Sequence, residues 1–316
     1  MSHEFESGLF VGTAAWHGLG VTLENAPDNI EEALRIAGLD WSVELEPIFL
    51  RDGTLVEEKK AVIRSTDRSI LGVVGNRFRP LQNLEAFRFF NSFLEVGQAR
   101  IETCGSLYNG RRIFVLVRLL VDDVDVAKGD TIRPYLALAH GHDGTLVVTV
   151  MFTAVRIVCA NTLGAALSST SNDGSSIRLR HTKSLPIGLE KAQDTISLAK
   201  QSWDISVDAF KRMAKTAMTG KEFATYAKKV FSVNEDIEEL PKKTQNMLDI
   251  LTETYDNGPG LTSHTRGTIW AGYNAITSYL DHTRGRTAES RLDSTWFGAS
   301  SQTRARALEI AFASQN

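Results

Sequence analysis

At 316 residues, 42% of them hydrophobic and 23% charged, the chain has ordinary globular composition and length for one large domain or two, so its core requires neither disulfides nor a structural metal. Its two cysteines, Cys104 and Cys159, and an opening MSHEFESGLF without a basic leader speak against a secreted disulfide scaffold and for a reducing, cytoplasmic setting; no stretch approaches the roughly 18–20 apolar residues of a membrane helix. The net charge of −3 hides a spread from 6 Lys+Arg against 13 Asp+Glu in residues 1–76, through 13 against 9 in residues 77–183, to 16 against 16 beyond, so the cationic surplus of the middle third permits an anionic partner there.

Residues 29–41, NIEEALRIAGLDW, predict a short helix with Ile30, Ala33, Leu34 and Ala37 on one face and Gly38 as its stop. WSVELEPIFL and TLVEEKKAVIRS alternate as strands around Arg51-Asp52-Gly53, a hairpin signal, and SILGVVG (69–75) is a further short strand. NLEAFRFFNSFLEVG (83–97) reads as an amphipathic helix with Leu84, Phe87, Phe90 and Leu94 on one face.

An antiparallel meander follows. ARIETCGSL and RRIFVLVRLL flank the turn Tyr108-Asn109-Gly110, and TIRPYLALAH and TLVVTVMFTAVRIV flank Gly141-His142-Asp143-Gly144. In the last strand Val148, Val150, Phe152 and Ala154 share a face that Arg156 continues. A helix is expected near Asn161–Ser168, then a polar Ser/Asn/Gly-rich loop (168–176) and the strand SIRLRHT.

From Pro186 the pattern is helical. Leu189, Ile196, Trp203, Phe210 and Ala217 recur every seven residues, a seam that suits the buried side of a long helix or an oligomer interface. Thr219-Gly220-Lys221-Glu222 is a capping box opening the next helix; residues 240–256, 262–282 and 302–313 predict others, with DNGPG (256–260) as a breaker. The expected fold is therefore α+β: an antiparallel β-meander domain with flanking helices over 1–184, followed by a helical domain over 185–316.

No P-loop, dinucleotide-binding glycine fingerprint, HExxH or GxSxG motif occurs, which argues against common ATPases and serine hydrolases. His140, His142, Cys159 and His181 are the available soft ligands, yet no pair has zinc-motif spacing. Asp122-Asp123-Val124-Asp125 offers paired carboxylates for Mg²⁺ without a third ligand, and suits a solvated loop better. No metal or cofactor is expected. The cations are more suggestive. Arg156 leads toward the helix expected at Asn161 and Thr162, whose N-terminal N–H groups would suit a phosphate. Arg178, Arg180 and His181, Arg77 and Arg79, and Arg111 and Arg112 add positive charge, and Phe78 and Tyr108 add aromatic faces.

WHGLG (16–20), GNRFRPLQNLEAF (75–87), ETCGSLYNGRRIFV (102–115), the HDG turn, VRIVCANTL (155–163), IRLRHT (177–182), YNAITSYLDHTRGR (273–286) and WFG (296–298) together resemble the phage/plasmid-like protein family, a family of unknown function from bacteriophages, plasmids and integrated elements. The resemblance runs in order over nearly the whole chain. It implies a mobile-element origin and a bacterial host cytoplasm, and it carries no catalytic residues. The order helix, antiparallel meander, helix also resembles the phage single-strand annealing proteins of the Red-beta and Erf superfamily, in arrangement rather than motif.

These observations lead to the expectation of a homo-oligomeric single-stranded DNA-binding protein that is not an enzyme, strand annealing included. Arg77, Arg79, Arg111, Arg112, Arg156, Arg178, Arg180 and His181 would meet phosphate, Asn161 and Thr162 would cap the anion-facing helix, and Phe78 and Tyr108 would stack on bases. One alternative is an interaction protein engaging a host factor, which the acidic first quarter suits. Another is a metal-assisted phosphoesterase using His140, His142, Asp143 and His181.

Overall fold

The computed structural model describes residues 5–12, 20–156, 161–164, 176–197, 199–233, 239–285, 291, 294 and 298–314. The fold is α+β, with antiparallel sheets in the N-terminal half and helices in the C-terminal region. Among the described residues no helix is long and apolar enough to cross a membrane. The chain divides into two compact units: Met1–Val121, Tyr135–Phe152 and Ser171–Ala199 form the first, and Asp122–Pro134, Thr153–Thr170 and Lys200–Asn316 the second.

The first unit contains a small antiparallel sheet of β3 (Val43–Phe49), β4 (Leu55–Arg64) and β5 (Ile70–Gly75). The expected hairpin closes as Leu50 N donates to Thr54 O at 2.8 Å, with Gly53 at φ +87°. A larger sheet brings together β1 (Phe5–Val11), β2 (Val21–Leu23), β6 (Ala99–Leu107), β7 (Arg112–Leu119), the later part of β9 (Asp130–Gly141), the earlier part of β10 (Val148–Arg156) and β12 (Ser176–Leu179). The turn between β6 and β7 holds Tyr108, Asn109 and Gly110 at φ +56°, +55° and +80°. Gly110 is required there twice over, because a Cβ would also lie 2.6 Å from Arg64 Nη2.

Helix α1 (Ile30–Ile36) starts as the sequence predicts: Asn29 Oδ1 accepts from Glu32 N at 2.8 Å, and Ile30, Ala33 and Leu34 are buried. The helix expected over 83–97 is interrupted, giving α2 (Asn83–Arg88) and α3 (Asn91–Leu94). Phe89 and Phe90 are both buried, and adjacent residues of one regular helix point about 100° apart, so the chain turns out of the helix to bury both rings. The Gln82 side chain before α2 clasps β3, accepting from Val43 N at 2.9 Å and donating to Val43 O at 3.0 Å. Helix α4 (Leu185–Ser197) lies against β12.

The second unit holds β8 (Val124–Ala127) paired with the start of β9, and the end of β10 paired with β11 (Asn161–Gly164). Its helices are α5 (Ala199–Lys215), α6 (Gly220–Val230), α7 (Lys242–Asn257), α8 (Ile269–Ser278), which runs into a π-helical turn (Tyr279–Thr283), and α9 (Ala299–Ala313). The capping box at Thr219 and Glu222 forms as expected. Helix α8 starts later than position 262, where the Thr268 side chain caps it just after Gly267 at φ +69°. Phe210 packs among Trp270 and Tyr273 at ring-centroid distances of 5.1 and 6.5 Å, so this part of the seven-residue seam serves the unit's own core. Asp123 and Asp125, weighed above as Mg²⁺ ligands, engage Arg133 and Thr131.

The helix expected near Asn161–Ser168 is overturned where it is described. The chain does not enter a helix at Asn161. Asn161–Gly164 is a strand, with Asn161 opposite Arg156 and Thr162 opposite Val155 in an antiparallel pair. Asn and Thr serve turns and strands as well as caps, and β-branched Thr162 suits the ladder it joins. The anion site at a helix N-terminus therefore has no helix to sit on. Cys159, residues 165–168 of the expected helix and nearly all of the polar loop that follows lie outside the described residues.

Candidate functional site

After β5 the chain makes a tight turn, with Phe78 N donating to Gly75 O at 3.0 Å, and then latches onto the segment that follows β12. Arg79 N donates to His181 O at 3.0 Å, and His181 Nδ1 donates to Arg79 O at 3.1 Å. A carbonyl only accepts, so the proton of this ring sits on Nδ1. The Phe78 ring stacks on the imidazole, centroids 4.7 Å apart and planes 25° apart. Together these segments and the β9–β10 loop wall a cleft of about 620 Å³, lined by Arg77, Phe78, Leu146, Arg180 and His181, with Glu58 as its carboxylate. Arg77 and Arg180 are exposed and His181 is buried.

Behind His181 lie two more imidazoles. His140 is the penultimate residue of β9, and His142 follows two positions on. The His140 ring is 4.8 Å from that of His142 and 6.2 Å from that of His181, centroid to centroid. His142 Nε2 bonds Asn83 Oδ1 at 3.0 Å. The amide orientation is fixed, because Asn83 Nδ2 donates to Leu39 O at 2.9 Å and Trp41 O at 3.2 Å. His142 therefore carries its proton on Nε2. Both nitrogens of His140, Nδ1 of His142 and Nε2 of His181 make no hydrogen bond.

Burial keeps these rings neutral. It drives His140 well below the usual imidazole range, with His142 and His181 adding to the effect. It brings His142 down to about 3, helped by His181 and by the Arg64 guanidinium. Burial also lowers His181, but there the carbonyls of Arg79 and Leu146 and the Asp143 carboxylate pull the other way. Arg64 is itself held over the Trp41 ring at 4.8 Å and donates to Glu6 Oε1 at 2.7 Å. Gly72 of β5 makes the close approach beneath the loop, since a Cβ there would lie 2.5 Å from Asp143 Cα. Among the described residues no three His, Cys, Asp or Glu side chains are placed to hold a metal ion.

Of the residues singled out in the sequence, the cleft gathers Arg77, Phe78, Arg180 and His181. Arg79 adjoins it, but its guanidinium bonds the carbonyls of its own segment, Phe78 O at 3.1 Å and Asn76 O at 3.4 Å. Arg178 is an exposed residue of β12 opposite Thr149. Tyr108 is covered by the Arg112 guanidinium, 5.0 Å above its ring, and Arg111 is exposed on the same turn. These residues do not line the cleft. Arg156, Asn161 and Thr162 belong to the β10–β11 hairpin of the second unit. Sequence reasoning passed over Asn83 and Glu58. An asparagine at helical spacing with Ala86 and Phe87 was the available signal for Asn83.

The model of a domain of unknown function, DUF932, matches residues 70–296. The chain belongs to the DUF932 family. The matched span of this DUF932 chain includes the cleft arginines, the Phe78–His181 stack and the buried His140, His142 and His181. No curated protein and no solved structure matches it.

Proposed function

We propose that this DUF932 protein binds single-stranded DNA by its phosphate backbone, in keeping with strand annealing and with a mobile-element origin. The observation that carries this reading is the cleft: two exposed guanidinium groups, Arg77 and Arg180, beside an aromatic stack, with Glu58 as the carboxylate in its lining. Backbone contacts by arginine supply most sequence-independent affinity for nucleic acid, and an aromatic face adds base stacking. About 620 Å³ is room for a nucleotide-sized group. The cationic surplus of residues 77–183 supports the same reading. Arg178, Arg111 and Arg112 extend the positive charge of the first unit beyond the cleft.

The test is a salt titration with a labelled oligothymidylate. Affinity falls steeply as salt rises, and the Arg77→Ala/Arg180→Ala double variant reduces the slope of log affinity against log salt by about two. Binding absent at low salt, or indifferent to salt, overturns the reading. Light scattering with and without the oligonucleotide checks whether the chain assembles on the strand.

A further inference from the structure

His181 is set apart from its two buried neighbours. His140, on β9, has no hydrogen-bond partner at either nitrogen, so an added proton there would have nothing to bond. His142, in the β9–β10 loop, spends its Nε2 proton on Asn83, and its Nδ1 faces no acceptor. His181 alone combines a fixed donor bond to the Arg79 carbonyl with a carbonyl, that of Leu146, and a carboxylate, that of Asp143, which favour a second proton. It also lines the cleft. The titratable and charged groups around it are the neutral His140 and His142 together with Asp143 from β9 and its loop, Arg77 and Arg79 from the segment after β5, Arg180 from the segment after β12, and Glu58 from β4.

We propose that anion binding in this cleft is proton-linked through His181: a phosphate group seated beside Arg77 and Arg180 draws a proton onto the imidazole, so affinity rises as the solution is acidified. This rests on the phosphate-binding reading above and names its regulation. The balance is simple. One proton comes from solvent to Nε2, the ring becomes an imidazolium that keeps its Nδ1–H bond to the Arg79 carbonyl, and no bond of the ligand breaks. Linkage is reciprocal, so a ligand that favours the protonated ring binds more tightly where protons are abundant, by at most tenfold per pH unit for one proton.

The experiment uses the full chain and a tetramethylrhodamine-labelled oligothymidylate at fixed ionic strength, between about pH 7.5 and about pH 5.5. The phosphodiester and the thymine do not titrate there, and neither do ordinary carboxylates, lysines or arginines. Affinity is expected to rise several-fold toward the acid end, and calorimetry in buffers of different ionisation enthalpy is expected to show proton uptake on binding. In His181→Gln the profile flattens at whatever affinity the variant keeps. Acid destabilisation of the fold would weaken binding, the opposite sign. Salt-dependent binding by the wild type with a flat pH profile and no proton uptake overturns the linkage and leaves the DNA reading standing. An unchanged profile in His181→Gln does the same. Should the variant not fold, proton uptake by the wild type decides. No binding at any pH overturns both.

Discussion

Acid should destabilise the first unit in a pH window where few other groups titrate. The perturbation is a shift from about pH 7 to about pH 5. His142 has a folded-state value of about 3 and His140 also lies far below the ordinary imidazole value, both chiefly because they are buried. In the unfolded chain both return to about 6.5. The unfolded state therefore binds more protons throughout this interval, and stability falls as pH falls, beginning near the unfolded value and continuing down to the folded one. The neutral His142 ring costs about 1.36 kcal/mol per pH unit below about 6.5, about 2 kcal/mol at about pH 5, and His140 adds to this in the same direction. Against a total of about 5–15 kcal/mol this is a large fraction. Carboxylates held low in the folded state, Asp52, Asp67 and Glu222, lose their contribution only as pH falls further, so they leave the interval clear. Urea unfolding followed by tryptophan fluorescence measures it, because Trp41 lies 5.3 Å from the His142 ring, centroid to centroid, and reports on this unit. His142→Gln should lower stability at neutral pH and reduce the dependence on pH, the remainder coming from His140 and His181. An unfolding free energy that is the same at both pH values, or an undiminished slope in the variant, would refute the assignment of these rings as neutral and buried.

Asn83→Ala removes three hydrogen bonds at a buried position, two to carbonyls and one to His142, and should cost about 2–4 kcal/mol by chemical denaturation. Gly72→Ala places a methyl group against the Asp143 backbone; a loss of about 1–3 kcal/mol together with weaker oligonucleotide binding is expected, since the loop it displaces walls the cleft. Arg304→Met leaves the Asp281 carboxylate buried without its guanidinium, and a loss of about 3–5 kcal/mol in thermal or urea unfolding is expected. Oligonucleotide binding by the wild type should be unchanged by EDTA; a loss restored by zinc would favour the phosphoesterase alternative.

Local chemistry made much of the architecture legible. Asn29, Gly53, the Tyr108-Asn109-Gly110 turn and the Thr219/Glu222 box each impose a backbone conformation on their immediate neighbours, so they can be read without knowing what lies across the fold. The meander was legible for a related reason: apolar runs bounded by turn signals allow few other structures. The misread stretch at Asn161 differs in kind. Its residues satisfy a helix cap and a strand equally well, and pairing with β10 decides between them. The break in the helix after Arg88 likewise comes from two neighbouring phenylalanines that both find cover. At the site, Arg77, Phe78, Arg180 and His181 were identified as candidates by residue type, but the clustering of His140, His142 and His181 depends on two segments about 40 residues apart in the chain and is invisible to any short window.

The chain's passage between its units within β9 and β10 has a consequence for synthesis and for dissection. The first unit ends at Ala199, so on the ribosome it lacks its closing segments for roughly ten to forty seconds at about 5–20 residues per second. During that interval β1 waits for β6, made much later in the chain. The stretch from Lys200 onward lacks β8 and β11, so no single scission releases both bodies intact. A permuted or insertion-linked chain, rather than a pair of truncations, is the means of separating them.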